Sequence, residues 1–173
     1  QNHQHQFTDC VAYKTGTMFQ FHGGGKSYFE GCGTFDRTPT TFLDIAAVGS
    51  TTWWRQGIFV ARNTTWDSQK PPGSPLLKMN KQPGANLRCM VNFDGFTIAN
   101  HHYPVGNPLF QISGGTVCRL QNGVGLQAGC LHWWDEGNSS VVGKPTFLLD
   151  NCRMDPGIKN PLELFIARIP RDG

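Results

Sequence analysis

Apolar residues recur along the chain in short runs, and several of these runs alternate with polar residues. In the segment 162–166, for example, Leu162, Leu164 and Ile166 occupy every second position, which is the pattern of a half-buried strand. Stretches rich in Gly and Pro separate the runs. The pattern predicts an all-β protein with at most one or two short helices.

Two dipeptides predict tight turns between strands. Asn122-Gly123 lies between Cys118 and Cys130, and Asp94-Gly95 lies between predicted strands at 87–93 and 96–100. Both dipeptides suit a type I′ turn, which requires positive φ at its two central residues and usually closes a hairpin. Hairpins join antiparallel strands, so the sequence predicts an antiparallel β-sandwich or β-barrel.

Three apolar segments have more specific interpretations. The run 58–61 predicts a strand buried on both faces. The run 42–48 predicts a strand, with a short helix as the alternative, because β-branched and aromatic residues surround it. The run 162–169 has the same two interpretations, so any helix in the molecule is expected in one of these two places.

The length of the chain indicates one domain. A chain of 173 residues can bury a single core, so residues 1–173 are expected to form one β-rich domain. Residues 1–6 lack an apolar anchor and predict a loose, flexible N-terminal tail. The segment 63–86 is rich in Pro and lacks periodicity, which predicts a long exposed loop.

The charge pattern argues against nucleic acid as a partner, and the hydropathy pattern argues against a membrane span. Charged residues make up only 16% of the chain, and the net charge of +3 comes from scattered Lys and Arg without a basic run. Such a distribution does not predict nucleic-acid binding, which uses clustered positive charge. The chain also lacks an apolar stretch of about 18 residues, so no membrane span is expected. We expect a monomer.

Cysteines and glycosylation sequons together indicate an extracellular protein. The even number of cysteines in a chain of this size predicts three disulfides, although six cysteines allow 15 pairings and the sequence does not choose among them. The sequons predict N-glycosylation at Asn63 and Asn138. No signal peptide is present, so Gln1 is interpreted as a processed start. The predicted disulfide cysteines are Cys10, Cys32, Cys89, Cys118, Cys130 and Cys152.

The glycine-rich segment 22–27, HGGGKS, fails two tests for catalytic chemistry. A phosphate-binding loop would need glycine at position 20, where Gln20 stands, and a helix after Ser27. An esterase oxyanion hole would need a G-x-S-x-G nucleophile elbow, which the chain lacks. No cofactor is expected, and the sequence favours a non-enzymatic protein.

Two clusters of polar residues suggest chemistry without defining it. His101 and His102 are adjacent, so on an extended chain they face opposite sides and do not easily share a metal ion. No metal site is therefore predicted. Asp135 and Glu136 lie beside two tryptophans, which is the composition of a sugar-binding subsite. Paired acid and base chemistry would need a further carboxylate that the sequence does not place there.

Aromatic residues beside Arg, His and Asp form the predicted binding surface. Interface cores are enriched in aromatic side chains and Arg, so these segments are candidates for recognition. The alternative is that most of the tryptophans belong to the core. The candidate binding residues are Trp53, Trp54, Arg55, His101, His102, Tyr103, His132, Trp133, Trp134 and Asp135.

In composition alone, the chain resembles the small secreted effectors and toxins of plant-infecting fungi. Because no catalytic signature is present, the sequence favours a secreted, non-enzymatic recognition protein of the effector or toxin type that binds an extracellular host protein or receptor. The alternative hypothesis is a secreted carbohydrate-binding or glycan-cleaving domain that uses the segment 132–136, HWWDE. A third possibility, a hydrolase with a scattered site, would bring a buried His and a carboxylate together across a cleft.

Overall fold

The computed structural model describes residues 4–13, 16–22, 25–35, 41–47, 55–66, 75–81, 87–99, 108–113, 115–134 and 145–168. Strands dominate these residues, and a single 3-10 turn, Pro161–Leu164, is the helical element among them. The strands are β1 (Gln4–Thr8), β2 (Val11–Tyr13), β3 (Thr17–Phe21), β4 (Gly25–Glu30), β5 (Gly33–Phe35), β6 (Thr41–Ala47), β7 (Arg55–Arg62), β8 (Thr65–Trp66), β9 (Leu77–Lys81), β10 (Leu87–Asp94), β11 (Thr97–Ile98), β12 (Phe110–Ser113), β13 (Thr116–Gln121), β14 (Val124–Leu126), β15 (Leu131–Trp134), β16 (Thr146–Asp150), β17 (Arg153–Met154) and β18 (Phe165–Arg168).

In the part of the chain that the structure describes, the strands form three parallel sheets of six strands each. Sheet 1 has the order β1-β4-β7-β10-β13-β16, sheet 2 the order β2-β5-β8-β11-β14-β17, and sheet 3 the order β3-β6-β9-β12-β15-β18. Three consecutive strands therefore make one coil, and each strand from β1 to β15 pairs with the strand three places further along the chain. The described residues form a three-sided parallel β-solenoid with six coils, coil 1 being β1–β3 and coil 6 being β16–β18.

The length of a coil varies, although the pairing within sheet 1 stays in register. Gln4 pairs with Lys26, Lys26 with Ile58, and Ile58 with Met90. Met90 then pairs with Val117, which pairs with Thr146. The differing steps along the chain are taken up by connections outside the sheets, so the ladder of sheet 1 continues without a bulge through all six strands.

The core lies inside the coils and is built from stacked apolar side chains. On the inner face of sheet 1, Phe29, Ala61 and Phe93 stack in successive coils. Trp66 projects inward from sheet 2 and packs between this stack and sheet 3. Trp66 is fully buried and contacts the rings of four phenylalanines. Connected aromatic rings run through coils 1–4 and are here called the aromatic cluster: Phe7, Phe19, Phe21, Phe29, Phe42, Phe59, Trp66, Phe93, Phe96 and Phe110.

The connection from sheet 1 to sheet 2 is two residues long in every coil. Its first residue has a φ between 49° and 68°, the left-handed region that Gly, Asn and Asp tolerate best. These six residues, here called the polar corner, are Asp9, Gly31, Asn63, Gly95, Asn122 and Asn151. The second residue points into the core, where Gly123, for example, lies against the ring of Phe96.

The prediction of an antiparallel sandwich or barrel is wrong, because all three sheets are parallel. Asp94-Gly95 and Asn122-Gly123 do turn the chain, and Gly95 and Asn122 have positive φ. However, each dipeptide sits where the chain leaves sheet 1 and enters sheet 2. The strands on its two sides belong to different sheets, so neither dipeptide closes a hairpin. The all-β prediction itself is confirmed.

Several local predictions were also corrected. Residues 4–6, expected in a loose tail, belong to β1, and residues 65–66 and 77–81 of the expected loop 63–86 are strands. The strand predicted at 42–48 is confirmed over residues 42–47, whereas residues 161–168 form a 3-10 turn, Pro161–Leu164, followed by a strand, so both interpretations of this segment hold in part. Ile58 and Val60 face outward and are half-buried, so the run 58–61 is not buried on both faces.

The structure gives no support to a framework of three disulfides. All six cysteines are free thiols. Cys89, Cys118 and Cys130 are buried in the core, where they pack as small apolar residues. Burial raises the pKa of Cys89 and of Cys130 to about 12 and raises the pKa of Cys118 as well, so these thiols stay protonated. The backbone ladders between coils hold the structure together in place of cross-links.

Candidate functional site

The outer face of sheet 1 carries a regular array of side chains. Residues alternate between the core and solvent along each strand, so outward residues of successive coils stack in columns. The first column is Gln4, Lys26, Ile58, Met90, Val117 and Thr146. The second is Gln6, Tyr28, Val60, Asn92, Arg119 and Leu148, and the third is Thr8, Glu30, Arg62, Asp94, Gln121 and Asp150.

A groove crosses these columns over coils 1–3. The groove has a volume of about 420 Å³ and is open to solvent. Tyr28, with 36% of its surface exposed, stands in the middle column between Gln6 and Val60. The lining residues are Gln4, Gln6, Thr8, Tyr28, Phe29, Glu30, Val60 and Arg62. The groove thus offers an aromatic ring flanked by amide, hydroxyl, carboxylate and guanidinium groups.

Charges of opposite sign alternate along the third column over coils 2–4. In the strand register, Glu30 is adjacent to Arg62, and Arg62 is adjacent to Asp94 of the next coil. Further along, Arg119 Nη2 lies 3.3 Å from Asp150 Oδ2, a surface ion pair that adds little to stability. Because the signs alternate, the face does not present the continuous positive charge that attracts a polyanion.

The polar corner forms one rim of this face and is held by side-chain hydrogen bonds between coils. Asn63 Nδ2 donates to Glu30 Oε1 over 2.6 Å, and Asn122 Nδ2 donates to Asp94 Oδ1 over 2.8 Å. Asn151 Nδ2 donates to Asn122 Oδ1 over 2.8 Å. These bonds fix the carboxylates of Glu30 and Asp94 at the edge of the face, so the groups that a ligand would meet are pre-positioned.

The hydrogen bond from Asn122 also changes the acidity of Asp94. Bonds from the side chains of Asn122 and Gln121, followed by the charges of Arg62 and Arg119, lower the pKa of Asp94. The charged form of this carboxylate is therefore favoured in the folded state. Asp94 stays ionised over the neutral and mildly acidic range.

A second polar column lies on the outer side of sheet 3 and contains one predicted binding residue. The column is Gln20, Asp44, Lys78, Gln111 and His132. Gln20 Nε2 donates to Asp44 Oδ2 over 3.3 Å, and Gln111 Nε2 lies 3.5 Å from His132 Nδ1. Asp44 and His132 are both buried, and within the described residues Asp44 Oδ1 has no hydrogen-bond partner.

The structure places part of the binding surface predicted from the sequence. Arg55 begins β7 in sheet 1, whereas His132, Trp133 and Trp134 lie in β15 of sheet 3, so these candidates belong to different sheets. His132 is buried rather than exposed. The remaining predicted residues lie outside the described residues: Trp53, Trp54, His101, His102, Tyr103 and Asp135.

The residues of the groove were not predicted from the sequence. Gln4 and Gln6 fall in the predicted N-terminal tail, and Tyr28 and Glu30 were not among the predicted binding residues. Arg62 is 32 residues from Glu30 in the sequence, although the two are neighbours in the sheet. The signal that locates them is the recurrence of the polar corner, preceded by an apolar residue and a polar residue in each coil. The tetrapeptides concerned are FTDC (7–10), FEGC (29–32), ARNT (61–64), FDGF (93–96), LQNG (120–123) and LDNC (149–152).

The described residues contain neither a cluster of metal ligands nor a membrane-spanning helix. No three His, Cys, Asp or Glu residues there are grouped to hold a metal ion. No helix among the same residues is long and apolar enough to cross a membrane. No family model, curated protein or solved structure matches the chain.

Proposed function

We propose that the protein is a secreted, non-catalytic recognition domain that binds a neutral, extended carbohydrate chain along the outer face of sheet 1. The groove over coils 1–3 carries this proposal. Its side chains combine an exposed aromatic ring with several hydrogen-bonding groups, which is the composition that sugars require. This proposal takes up the carbohydrate alternative from the sequence and moves the site from the segment 132–136 to the groove.

The dimensions of the face favour a polymer over a folded partner. Six strands spaced by about 4.8 Å extend over about 24 Å, and five residues along a strand extend over about 17 Å. The product is about 400 Å², half of the roughly 800 Å² that each partner contributes to a standard protein interface. A linear chain that lies across the strands needs only a fraction of that area.

The charge pattern favours a neutral ligand. Glu30 and Arg62 both line the groove and carry opposite charges at adjacent positions of one column. A uronic-acid polymer would gain attraction from Arg62 and lose it to Glu30, whereas neutral hydroxyl groups can donate to the carboxylate and accept from the guanidinium. Hydroxyl groups can therefore bind both the Glu30 carboxylate and the Arg62 guanidinium.

Extracellular location is part of the proposal and rests on the sequons. Asn63 is exposed at the polar corner, beside Glu30 in the wall of the groove. A glycan attached to Asn63 would project at this rim, so the glycosylated and unglycosylated proteins should differ in ligand binding. Asn138, the second predicted site, lies outside the described residues.

Isothermal titration with soluble neutral glucans, mannans and xylans, with polygalacturonate as the acidic comparison, tests the proposal. We expect one neutral polymer to bind and Tyr28→Ala to weaken its binding by about tenfold or more, because the ring loses its stacking contact. Tyr13→Ala is the matched control, since Tyr13 is 60% exposed but belongs to sheet 2. Binding should be unchanged in that variant.

Two results would contradict the proposal. If no neutral polymer binds, or if Tyr13→Ala weakens binding as much as Tyr28→Ala does, the groove is not the site. A discrete protein captured from extracellular host extracts, together with no glycan binding, would instead support the recognition of a host protein or receptor. In that case, the apolar and charged columns of sheet 1 would be the first surface to mutate.

A further inference from the structure

We propose that Cys10 and Cys32 are a disulfide pair that links coil 1 to coil 2 when the protein meets an oxidant. The two residues occupy the same position in adjacent coils, immediately after the polar-corner residues Asp9 and Gly31. The inference rests on the geometry of the cysteines and is independent of the proposed carbohydrate binding.

The backbone register brings the two thiols together. Thr8 pairs with Glu30 before the corner, and Val11 pairs with Gly33 after it. The amide of Asp9 donates to the carbonyl of Glu30 over 2.8 Å, and the amide of Gly33 donates to the carbonyl of Cys10 over 2.9 Å. Stacked residues in parallel strands have Cα atoms about 4.8 Å apart, which lies within the range of about 4.4–6.8 Å that disulfides use.

The side chains of Cys10 and Cys32 lie close together. Burial, and after it the neighbouring Cys10, raises the pKa of Cys32. Cys32 Sγ also lies 3.6 Å from the carbonyl oxygen of Phe7, a residue of coil 1. Cys32 is fully buried, whereas Cys10 is half-buried and can be reached from solvent.

The other four cysteines do not share this register. Cys89 pairs with Thr116, and Cys118 pairs with Val91, so the two cysteines are diagonal neighbours two residues out of step. Their Cα atoms are therefore about 8 Å apart, beyond the reach of a disulfide without movement of the backbone. Cys152 directly follows the polar-corner residue Asn151, whereas Cys130 directly precedes β15. These two cysteines therefore occupy different positions in their coils.

Glutathione disulfide is a sufficient oxidant for this reaction. The Cys10 thiolate attacks one sulfur of glutathione disulfide, forms a mixed disulfide and releases one glutathione thiolate. The Cys32 thiolate then attacks the Cys10 sulfur of the mixed disulfide and releases the second glutathione. The two cysteine protons end on the two glutathiones, so one disulfide is reduced and one is formed.

The bond would fix the strand at the beginning of the solenoid. β1 pairs only with β4 in sheet 1 of the described structure, and its Gln4, Gln6 and Thr8 line one side of the groove. A covalent link directly after β1 restricts the separation of this strand from coil 2. Oxidation should therefore stabilise the wall of the groove.

Peptide mapping of the full chain without reduction tests the bond. After incubation with glutathione disulfide, alkylation and trypsin digestion, we expect residues 1–14 linked to residues 27–37. Cys10→Ser should remove this product and create no other internal disulfide, while Cys152→Ser should leave it unchanged. Absence of the linked peptide in folded wild-type protein, or a bond between Cys130 and Cys152 in its place, would overturn the inference.

Hydrogen exchange provides the second measurement. Oxidation should slow exchange of the β1 amides by about tenfold or more, because the disulfide limits opening of the strand. The oxidant should have no effect on these amides in Cys10→Ser, which has a hydroxyl in place of the thiol and cannot form the bond. Equal exchange in oxidised and reduced wild-type protein would contradict a linking role for the pair.

Discussion

The aromatic cluster and the polar corner both recur from coil to coil, but they restrict the sequence in different ways. The core around the cluster accepts apolar side chains of different sizes, and one inward position of sheet 1 is Phe29, Ala61, Phe93 and Leu120 in successive coils. The corner requires a residue that tolerates positive φ, so only Asp, Gly and Asn occur there. The core therefore determines how much stability a coil contributes, and the corner determines where the coil turns.

Removing the central ring of the aromatic cluster should have the largest effect. Trp66→Ala should lower the free energy of unfolding by about 3–5 kcal/mol, because Trp66 is fully buried against four rings and its loss leaves a cavity. Urea unfolding followed by circular dichroism measures the change. Tyr13→Ala, at an exposed aromatic residue, should stay within about 0.5 kcal/mol of wild type. Equal losses in the two variants would contradict the central position of Trp66.

The place where the corner meets the core should be sensitive to a single methyl group. In Gly123→Ala the new Cβ would overlap the ring of Phe96, so the free energy of unfolding should fall by about 1–3 kcal/mol. Gly16→Ala is the matched control, because no atom of the described structure lies within 4 Å of its added Cβ. That variant should be neutral or slightly more stable. Thermal unfolding of the two variants side by side distinguishes contact with Phe96 from a general intolerance of alanine.

The polar corner should contribute a smaller, pH-dependent effect. The pKa of Asp94 is lower in the folded protein than in the unfolded chain, chiefly because Asn122 donates to its carboxylate. This contribution is fully present above the unfolded pKa of about 3.9 and is lost as the pH falls through the folded value. Compared with Asp94→Asn, wild type should be more stable at pH 7 by less than about 1 kcal/mol.

The difference between wild type and Asp94→Asn should shrink as the pH is lowered toward 2, because the carboxylate becomes neutral and then resembles the amide. Unfolding in urea at a series of pH values measures this difference. A difference that stays constant over the whole range would mean that the hydrogen bond from Asn122 does not depend on the charge of Asp94.

The sequence predicted strands well and their pairing poorly, for a physical reason. Alternation of apolar and polar residues gives each strand one buried face, and this pattern is the same in parallel and antiparallel sheets. Asp94-Gly95 and Asn122-Gly123 were predicted as type I′ hairpin turns; each does turn the chain, but only Gly95 and Asn122 have positive φ and neither turn closes a hairpin. The local sequence does not state whether the chain then returns to the same sheet or enters the next one.

The groove could not be predicted from local motifs, because its residues come from three coils. Tyr28 and Val60 are separated by 32 residues and are brought together only by the register of β4 and β7. Comparing the polar corner across coils would have supplied that register, since FEGC and ARNT align the two strands directly. His132 was identified as a candidate, but its neighbours Gln111 and Asp44 also come from other coils.

The stacked architecture also determines where the molecule opens first. In a solenoid each coil is supported by its neighbours, so the free energy of unfolding is distributed along the axis and does not belong to one closed core. Within the described residues, β1–β3 and β16–β18 each have a paired strand on one side only. Opening of the described solenoid should therefore spread from coil to coil, and coils 3 and 4, which hold Trp66 and Phe93, should be the last to open.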